Sequence, residues 1–428
     1  MPVLLIAGSA FAGSAGYAAT PTPRLPSAIG DETVVWLTVS PAYAKTGLVM
    51  AISVQKHDCI ARECVHVWAT RDRGANWVRK KAADFEGDRP LIAVDGAGHE
   101  AIFSQGRTML QRSDDYGETW AKAGPNGFPA PVPNSADAAV AVAGTNDYIL
   151  RGGDIKPVPG SSGAIDDGAF ALSPGFPNSG SFAPALLVGA DKVTKRPVIQ
   201  QCKADLSCSG DTSLVGTTSF GRPPGFFFSS NYARDGVVFV KGASVVYKST
   251  DGGISFKPLE VIVDNSAGAV STTMMAVSPA YREAGPVRTA FVSVTQFFTA
   301  PGPVSDRTIK KGGIYKSTDG GKIWRATGSP GPFETGATAV AVAPGGRIFA
   351  GYFSGFDGGL LCSAGGEDAW RESCPSGPVV KYLTGAQKAP GYDVVKTVIL
   401  GIVALSALAV VVMSVRRALR KPAGATYG

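Results

Sequence analysis

One eight-residue pattern, Ser-x-Asp-x-Gly-x-Thr-Trp, recurs along this chain of 428 residues and limits what it can fold into. Its cleanest copy runs Ser113-Asp114-Asp115-Tyr116-Gly117-Glu118-Thr119-Trp120. Ser249 to Phe256 and Ser317 to Trp324 follow it, and Thr70 to Trp77 is a looser copy. Aromatic or β-branched stretches lead in, such as Val246-Tyr247-Lys248 and Ile314-Tyr315-Lys316, so each copy sits where a strand must reverse. The aspartate at the third position (Asp72, Asp115, Asp251, Asp319) can accept hydrogen bonds from backbone amides of its own turn. The glycine at the fifth position (Gly74, Gly117, Gly253, Gly321) can take φ > 0 without a Cβ clash. The ring at the eighth position (Trp77, Trp120, Phe256, Trp324) is large enough to fill the space between neighbouring sheets. In this setting the aspartates read as turn-formers rather than catalytic acids.

The spacing of the copies counts the units. A four-stranded propeller blade takes about 40–45 residues. Trp77 to Trp120 is 43 residues, one blade, and Trp120 to Phe256 is 136, which leaves two blades hidden between them. Phe256 to Trp324 is 68, one blade with an insertion, and Trp324 to Trp370 is 46, with Cys362 to Trp370 as a decayed copy. The count is seven, with six as the alternative. A second element, Val39-Ser40-Pro41-Ala42-Tyr43, recurs at Ser229 to Tyr232 and at Val277 to Tyr281, and Leu172-Ser173-Pro174-Gly175-Phe176 opens one hidden blade. The other hidden blade must use Ala138 to Val142 and Tyr148 to Arg151. An all-β chain follows, in one large domain at 31–375, and radial closure leaves few long strand edges unpaired.

The repeat resembles the Asp-box, or BNR, repeat of sialidase-like and sortilin-like β-propellers. The resemblance implies a fold rather than a chemistry. Sialidases also need an arginine triad, a Tyr/Glu nucleophile pair and an acidic Asp. Their early Phe/Tyr-Arg-Ile-Pro motif is absent, and Asp88-Arg89-Pro90-Leu91 is the nearest string. Asp166 and Asp167 are adjacent in what reads as a loop, not a carboxylate pair spaced across a cleft. There is a further resemblance, carried by the repeat alone, to the propeller factors that help assemble photosystems. No phosphate-binding glycine loop, Gly-x-Ser-x-Gly elbow or HExxH is present, so no cofactor is expected.

The two ends point to a membrane. Thr397 to Val415 is nineteen residues without a charge, enough to cross a hydrocarbon core of about 30 Å. Arg416, Arg417, Arg420 and Lys421 follow, so the positive-inside rule makes the tail at 416–428 cytoplasmic and the rest external. The segments expected are a signal peptide at 1–19, a linker at 20–30, a stalk at 376–393 and a spanning helix at 394–415. The N-terminus resembles a signal peptide without its basic start, since no Lys or Arg precedes Arg24. Of the formal charge of +7, five units come from Lys396, Arg416, Arg417, Arg420 and Lys421 in a stretch without an acid. With no basic stripe elsewhere, nucleic acid is not an expected partner.

Six cysteines form three local pairs, Cys59 with Cys64, Cys202 with Cys208 and Cys362 with Cys374, which in an exported domain read as three disulfides. The first pair is flanked symmetrically by His57 and His66, which on a hairpin would face each other. The alternatives there are tetrahedral Zn²⁺ held by two thiolates and two imidazoles, or a disulfide between surface histidines; oxidation outside the cell favours the second. Phe297 and Phe298, followed by Pro301 and Pro303, suggest a projecting contact loop. The function expected is that of an externally displayed, membrane-anchored binding or scaffolding propeller for protein or glycan. A sialidase-like glycoside hydrolase is the alternative.

Overall fold

A computed structural model describes residues 32–54, 65–80, 90–106, 108–144, 146–158, 165–214, 225–242, 245–259, 268–299, 309–310, 313–327, 336–353, 358–363, 370–371 and 374. They form seven antiparallel sheets in which consecutive strands are neighbours. Blade I holds Thr33–Val39, Val49–Val54, Val65–Thr70 and Val78–Lys80. Blade II holds Leu91–Val94, Glu100–Gln105, Met109–Ser113 and Ala121–Pro125. Blade III holds Gly127–Pro131, Val140–Gly144, Tyr148–Arg151 and Asp154–Pro157. Blade IV follows with Ile165–Leu172, Ala185–Asp191, Pro197–Cys202 and Cys208–Ser213. Blade V comprises Gly225–Phe228, Val238–Lys241, Val246–Ser249 and Lys257–Leu259. Blade VI comprises Gly268–Val277, Ala290–Thr299, Gly313–Ser317 and Arg325–Ala326, with the short strand Ile309–Lys310 paired to the second. Blade VII is Ala337–Val342, Ile348–Phe353, Gly358–Ser363 and Trp370–Arg371. The molecule is a seven-bladed β-propeller, and both hidden blades lie where the spacing put them.

First strands touch across the seams I–II, II–III, III–IV, V–VI, VI–VII and VII–I, so they wall the central channel and the fourth strands lie outermost. Buried apolar side chains gather between blades rather than within one sheet. Leu48, Met50 and Val67 of blade I pack with Ile92 and Ile102 of blade II. Phe103 and Leu110 of blade II pack with Val140, Val142 and Tyr148 of blade III. The repeated Ser-x-x-Tyr element closes the first strands of blades I, V and VI and sends a tyrosine into the seam before each. Tyr232 heads the one-turn helix Tyr232–Asp235, and its hydroxyl donates to either Ala183 O or Gly252 O, each at 3.0 Å. Tyr281 meets Phe239 of blade V edge-on at 5.3 Å.

The repeated turn joins the third and fourth strands of blades I, II, V and VI and has one geometry. In blade II, Ser113 Oγ donates to Asp115 Oδ1 at 2.8 Å and accepts from Gly117 N at 2.8 Å, while Thr119 N donates to Asp115 Oδ1 at 2.8 Å. Thr70, Ser249 and Ser317 do the same for Gly74, Gly253 and Gly321. The fifth-position glycines have φ of 92°, 90°, 89° and 93° in chain order, and each lies against the preceding blade. A Cβ on Gly253 would stand 2.9 Å from Leu186 of blade IV, on Gly321 2.6 Å from Leu259 of blade V, and on Gly74 2.7 Å from Phe349 of blade VII. The eighth-position ring follows the glycine into the same seam. Trp324 is 2 % exposed beside Phe239, and Trp77 meets Phe349 edge-on at 6.1 Å. Burying such a ring contributes about 3 kcal/mol.

The ring closes without a shared strand, since each blade is built from consecutive strands. Blades VII and I are held by side chains and single hydrogen bonds instead. Thr338 Oγ1 donates to Val34 O at 2.5 Å, Cys374 N to Gly74 O at 3.0 Å, and Arg347 Nη1 to Arg73 O at 2.9 Å and Tyr43 Oη at 3.2 Å. Gly351 allows the close approach, because a Cβ there would stand 2.7 Å from Val34 Cβ.

Gly253→Ala combines a left-handed backbone with a collision against Leu186 and should cost about 3 kcal/mol. Gly345→Ala, at φ +88° with nothing within 4 Å of the new Cβ, carries only the backbone term of about 1–2 kcal/mol. Denaturant titration of both variants checks the difference; equal losses would remove the docking role of the glycine.

Candidate binding site in the central channel

The turn residues do not converge on a site. Asp72, Asp115, Asp251 and Asp319 each close their own turn at the rim of a separate blade. Their hydrogen bonds perturb them all in one direction. The Thr119 side chain, then its backbone N–H, holds Asp115 down at about 2. Partial burial pushes Asp251 up, but donors from Ser255 and Ser249 outweigh it and leave the carboxyl below its ordinary range. Burial likewise raises Asp72 and Asp319, and turn donors again win. Carboxyls held below the usual range stay ionised and serve poorly as proton donors. Blade III has a related turn that the repeat does not reveal. Ser135 Oγ donates to Asp137 Oδ1 at 2.6 Å and accepts from Ala139 N at 3.1 Å, between first and second strands, with no glycine or aromatic ring in the positions that mark the other copies.

Cys202–Cys208 and Cys362–Cys374 are disulfides. His57, Cys59 and Cys64 lie outside the described residues, and only His66 of that set is placed. It differs from expectation in two ways. Ser53, not His57, stands opposite it in the ladder, because the pairing partner lies four residues earlier, across a longer connection than the symmetry of the string implies. It is also buried at 5 % exposure rather than on the surface, with Nδ1 2.5 Å from Glu32 Oε1. The same carboxylate takes the Trp68 indole N–H at 3.2 Å and the Ser53 hydroxyl, so the histidine belongs to a satisfied polar network.

Phe297 and Phe298 do not stand in a loop. They lie within the strand Ala290–Thr299, opposite Val270 and Ala269, with Lys310 and Ile309 on the other side. The run Phe-Val-Ser-Val-Thr-Gln-Phe-Phe-Thr alternates and favours strand, and pairing on both edges carries it to residue 299 before the prolines end it. Asp166 and Asp167 likewise fall in a strand, Ile165–Leu172, at a register irregularity rather than in a loop.

The channel itself holds the feature that sequence did not indicate. A cavity of about 350 Å³ runs along the first strands of blades I to V. Blade I contributes Trp36 and Thr38, and blade II Leu91 with the preceding Pro90 and with Gln105. Blade III contributes Phe128 and three alternate prolines, Pro129, Pro131 and Pro133. Blade IV lines it with Ala169 to Leu172 and blade V with Gly225 to Phe228. None of these side chains is ionisable. Trp36 Nε1 donates to Pro90 O at 3.4 Å, which leaves Thr38 and Gln105 as the polar side chains of the wall. Sequence gave no sign of it because the lining comes from five blades about 40 residues apart. Arg347 donates to the backbone carbonyl of Arg73 at the seam of blades VII and I, away from this wall.

No family model matches the chain, and no curated protein matches it. Solved structures resemble its fold. An ancestral GH74 enzyme is 14 % identical over 84 % of this chain, with a TM-score of 0.38, and this chain spans only 39 % of that enzyme's length. YCF48 from Cyanidioschyzon merolae is 14 % identical, covering 78 % of this chain and 96 % of its own, at a TM-score of 0.46. YCF48 bound to D1 peptide is 13 % identical over 79 % of this chain and 94 % of its own, at 0.47. These likenesses concern the ring.

Ser249→Ala should cost about 1–3 kcal/mol, because it strips the buried Gly253 N–H of its acceptor. The exposed hydroxyl of Ser255 should matter less, about 0.5–1.5 kcal/mol. Since the turn aspartates have folded pKa values below the ordinary 3.8, their contribution is complete above about pH 4 and is lost as pH falls toward 2. Melting temperature should fall over that window, and less steeply in Asp115→Asn; an unchanged slope would refute the linkage.

Proposed function

We propose that this chain is an externally displayed, membrane-anchored propeller that binds rather than hydrolyses, engaging a protein or glycan partner. The observation that carries the reading is the channel wall. Among the described residues, those that line it from five blades carry no carboxylate, imidazole, amine or guanidinium. Glycoside hydrolysis at such a centre needs two carboxyl groups flanking the scissile bond, and a sialoside also needs cations for its carboxylate. The wall supports the non-catalytic reading.

The anchored topology rests on the uncharged run Thr397 to Val415 and the basic cluster after it. Those residues lie outside the described ones, as does the proposed signal peptide. The two closed disulfides support an oxidising compartment.

Intact cells carrying a tag after Gly428 supply the test of topology. Added protease should digest the propeller and spare the tag, and deleting everything after Ser376 should release a folded, soluble domain. Aryl glycosides and aryl sialosides should give no turnover with the purified protein. Turnover abolished by a single carboxylate substitution would establish the hydrolase reading instead, and a tag cleaved from outside would invert the topology.

A further inference from the structure

We propose that the central channel, along blades I to V, is a binding site for a small, uncharged, largely aromatic or alicyclic molecule. The inference deepens the non-catalytic reading and rests on it.

Size is the first argument. About 350 Å³ falls within the range of cavities that take small organic ligands. The second argument is the absence of charge. An anion or cation placed between Trp36, Phe128, Phe170 and Phe226 would lose its hydration and find no counter-charge on the wall. An uncharged ring loses little and gains contact with aromatic faces from four different blades.

The third argument sets a small molecule apart from an extended peptide. The first strand of blade III is a sheet edge turned to the channel, the kind of edge to which a peptide adds as a further strand. The backbone N–H and C=O groups of its even-numbered residues point to the second strand, as shown by Val132 N donating to Ala139 O at 2.9 Å and by Ala130 standing opposite Ala141. The backbone groups of the odd positions therefore face the channel, and those positions are Pro129, Pro131 and Pro133. Proline has no N–H, so at three successive channel-facing positions this edge can accept but not donate. A strand needs alternating donors and acceptors and cannot add there. A compact molecule needs only shape.

Two fluorescent probes with one skeleton isolate the question: N-phenyl-1-naphthylamine, which is uncharged, and 1-anilinonaphthalene-8-sulfonate, which adds a single anionic group. With the full-length protein in detergent micelles, corrected against empty micelles, the uncharged probe should bind saturably at one site and the sulfonate at least about tenfold more weakly. Phe226→Ala should weaken the uncharged probe about 5- to 50-fold with the melting temperature nearly unchanged, because Phe226 is only half-buried in the channel wall. Thr38→Lys, which places one cation on the wall, should reverse the order of the two probes. Equal or tighter sulfonate binding in the unaltered protein would overturn the proposal, as would affinities indifferent to both substitutions in folded variants. If either variant fails to fold, the ratio of the two probes on the unaltered protein decides. None of these outcomes bears on hydrolysis, so a failure here leaves the non-catalytic reading to its own assay.

Discussion

Four of the seven seams of this ring depend on a turn pressing its glycine and its aromatic ring into the blade before it. A four-stranded sheet of short strands exposes two apolar faces and cannot bury either alone. The turn solves this with direction: Gly253 and Phe256 reach back to blade IV, Gly321 and Trp324 to blade V, and Gly74 and Trp77 to Phe349 of blade VII. The serine, or Thr70 in the first copy, and the aspartate fix that geometry from inside, because their oxygens take the amides that a tight left-handed turn leaves unpaired. Where the pattern is missing, another constraint stands nearby. Blade IV ties its third and fourth strands with Cys202–Cys208, and Cys362–Cys374 of blade VII brings Cys374 N to Gly74 O across the final seam. A hydrogen-bonded turn and a covalent link thus serve at equivalent positions.

That equivalence explains what sequence could show and what it could not. The blade count was legible because the turn has strict local demands: φ near +90° at its glycine and a fixed spacing from oxygen to amide. Local demands leave local signatures. The channel left none, because Trp36, Phe128, Phe170 and Phe226 come together only after four blades have closed. His66 shows the intermediate case. The symmetry of His57-Asp58-Cys59 and Cys64-Val65-His66 was visible, but positions 53 and 57 share a strand face, so alternation alone could not say which stands opposite His66, and the ladder places Ser53 there. Phe297 and Phe298 went the same way. Prolines at 301 and 303 suggested a loop, whereas pairing on both sides of Ala290–Thr299 extended the strand.

The fold also separates stability from recognition. The glycines, rings and disulfides that hold the blades together sit toward the third and fourth strands, at the rim. The first strands need only present one apolar face to each neighbour and keep their inner edge compatible with the channel. Blade III uses that freedom most: alternate prolines remove donors that the channel would otherwise contain, at no cost to the ladder, because the intervening residues carry its hydrogen bonds. Blade V uses it differently, with Phe226, Phe227 and Phe228 in succession on a strand whose pairing to Val238–Lys241 is unbroken. Substitutions on these strands can therefore change what the channel accepts while the rim keeps the ring closed. In a fold of this kind, the chemistry of the innermost strands is a better guide to function than the repeat that reveals the fold.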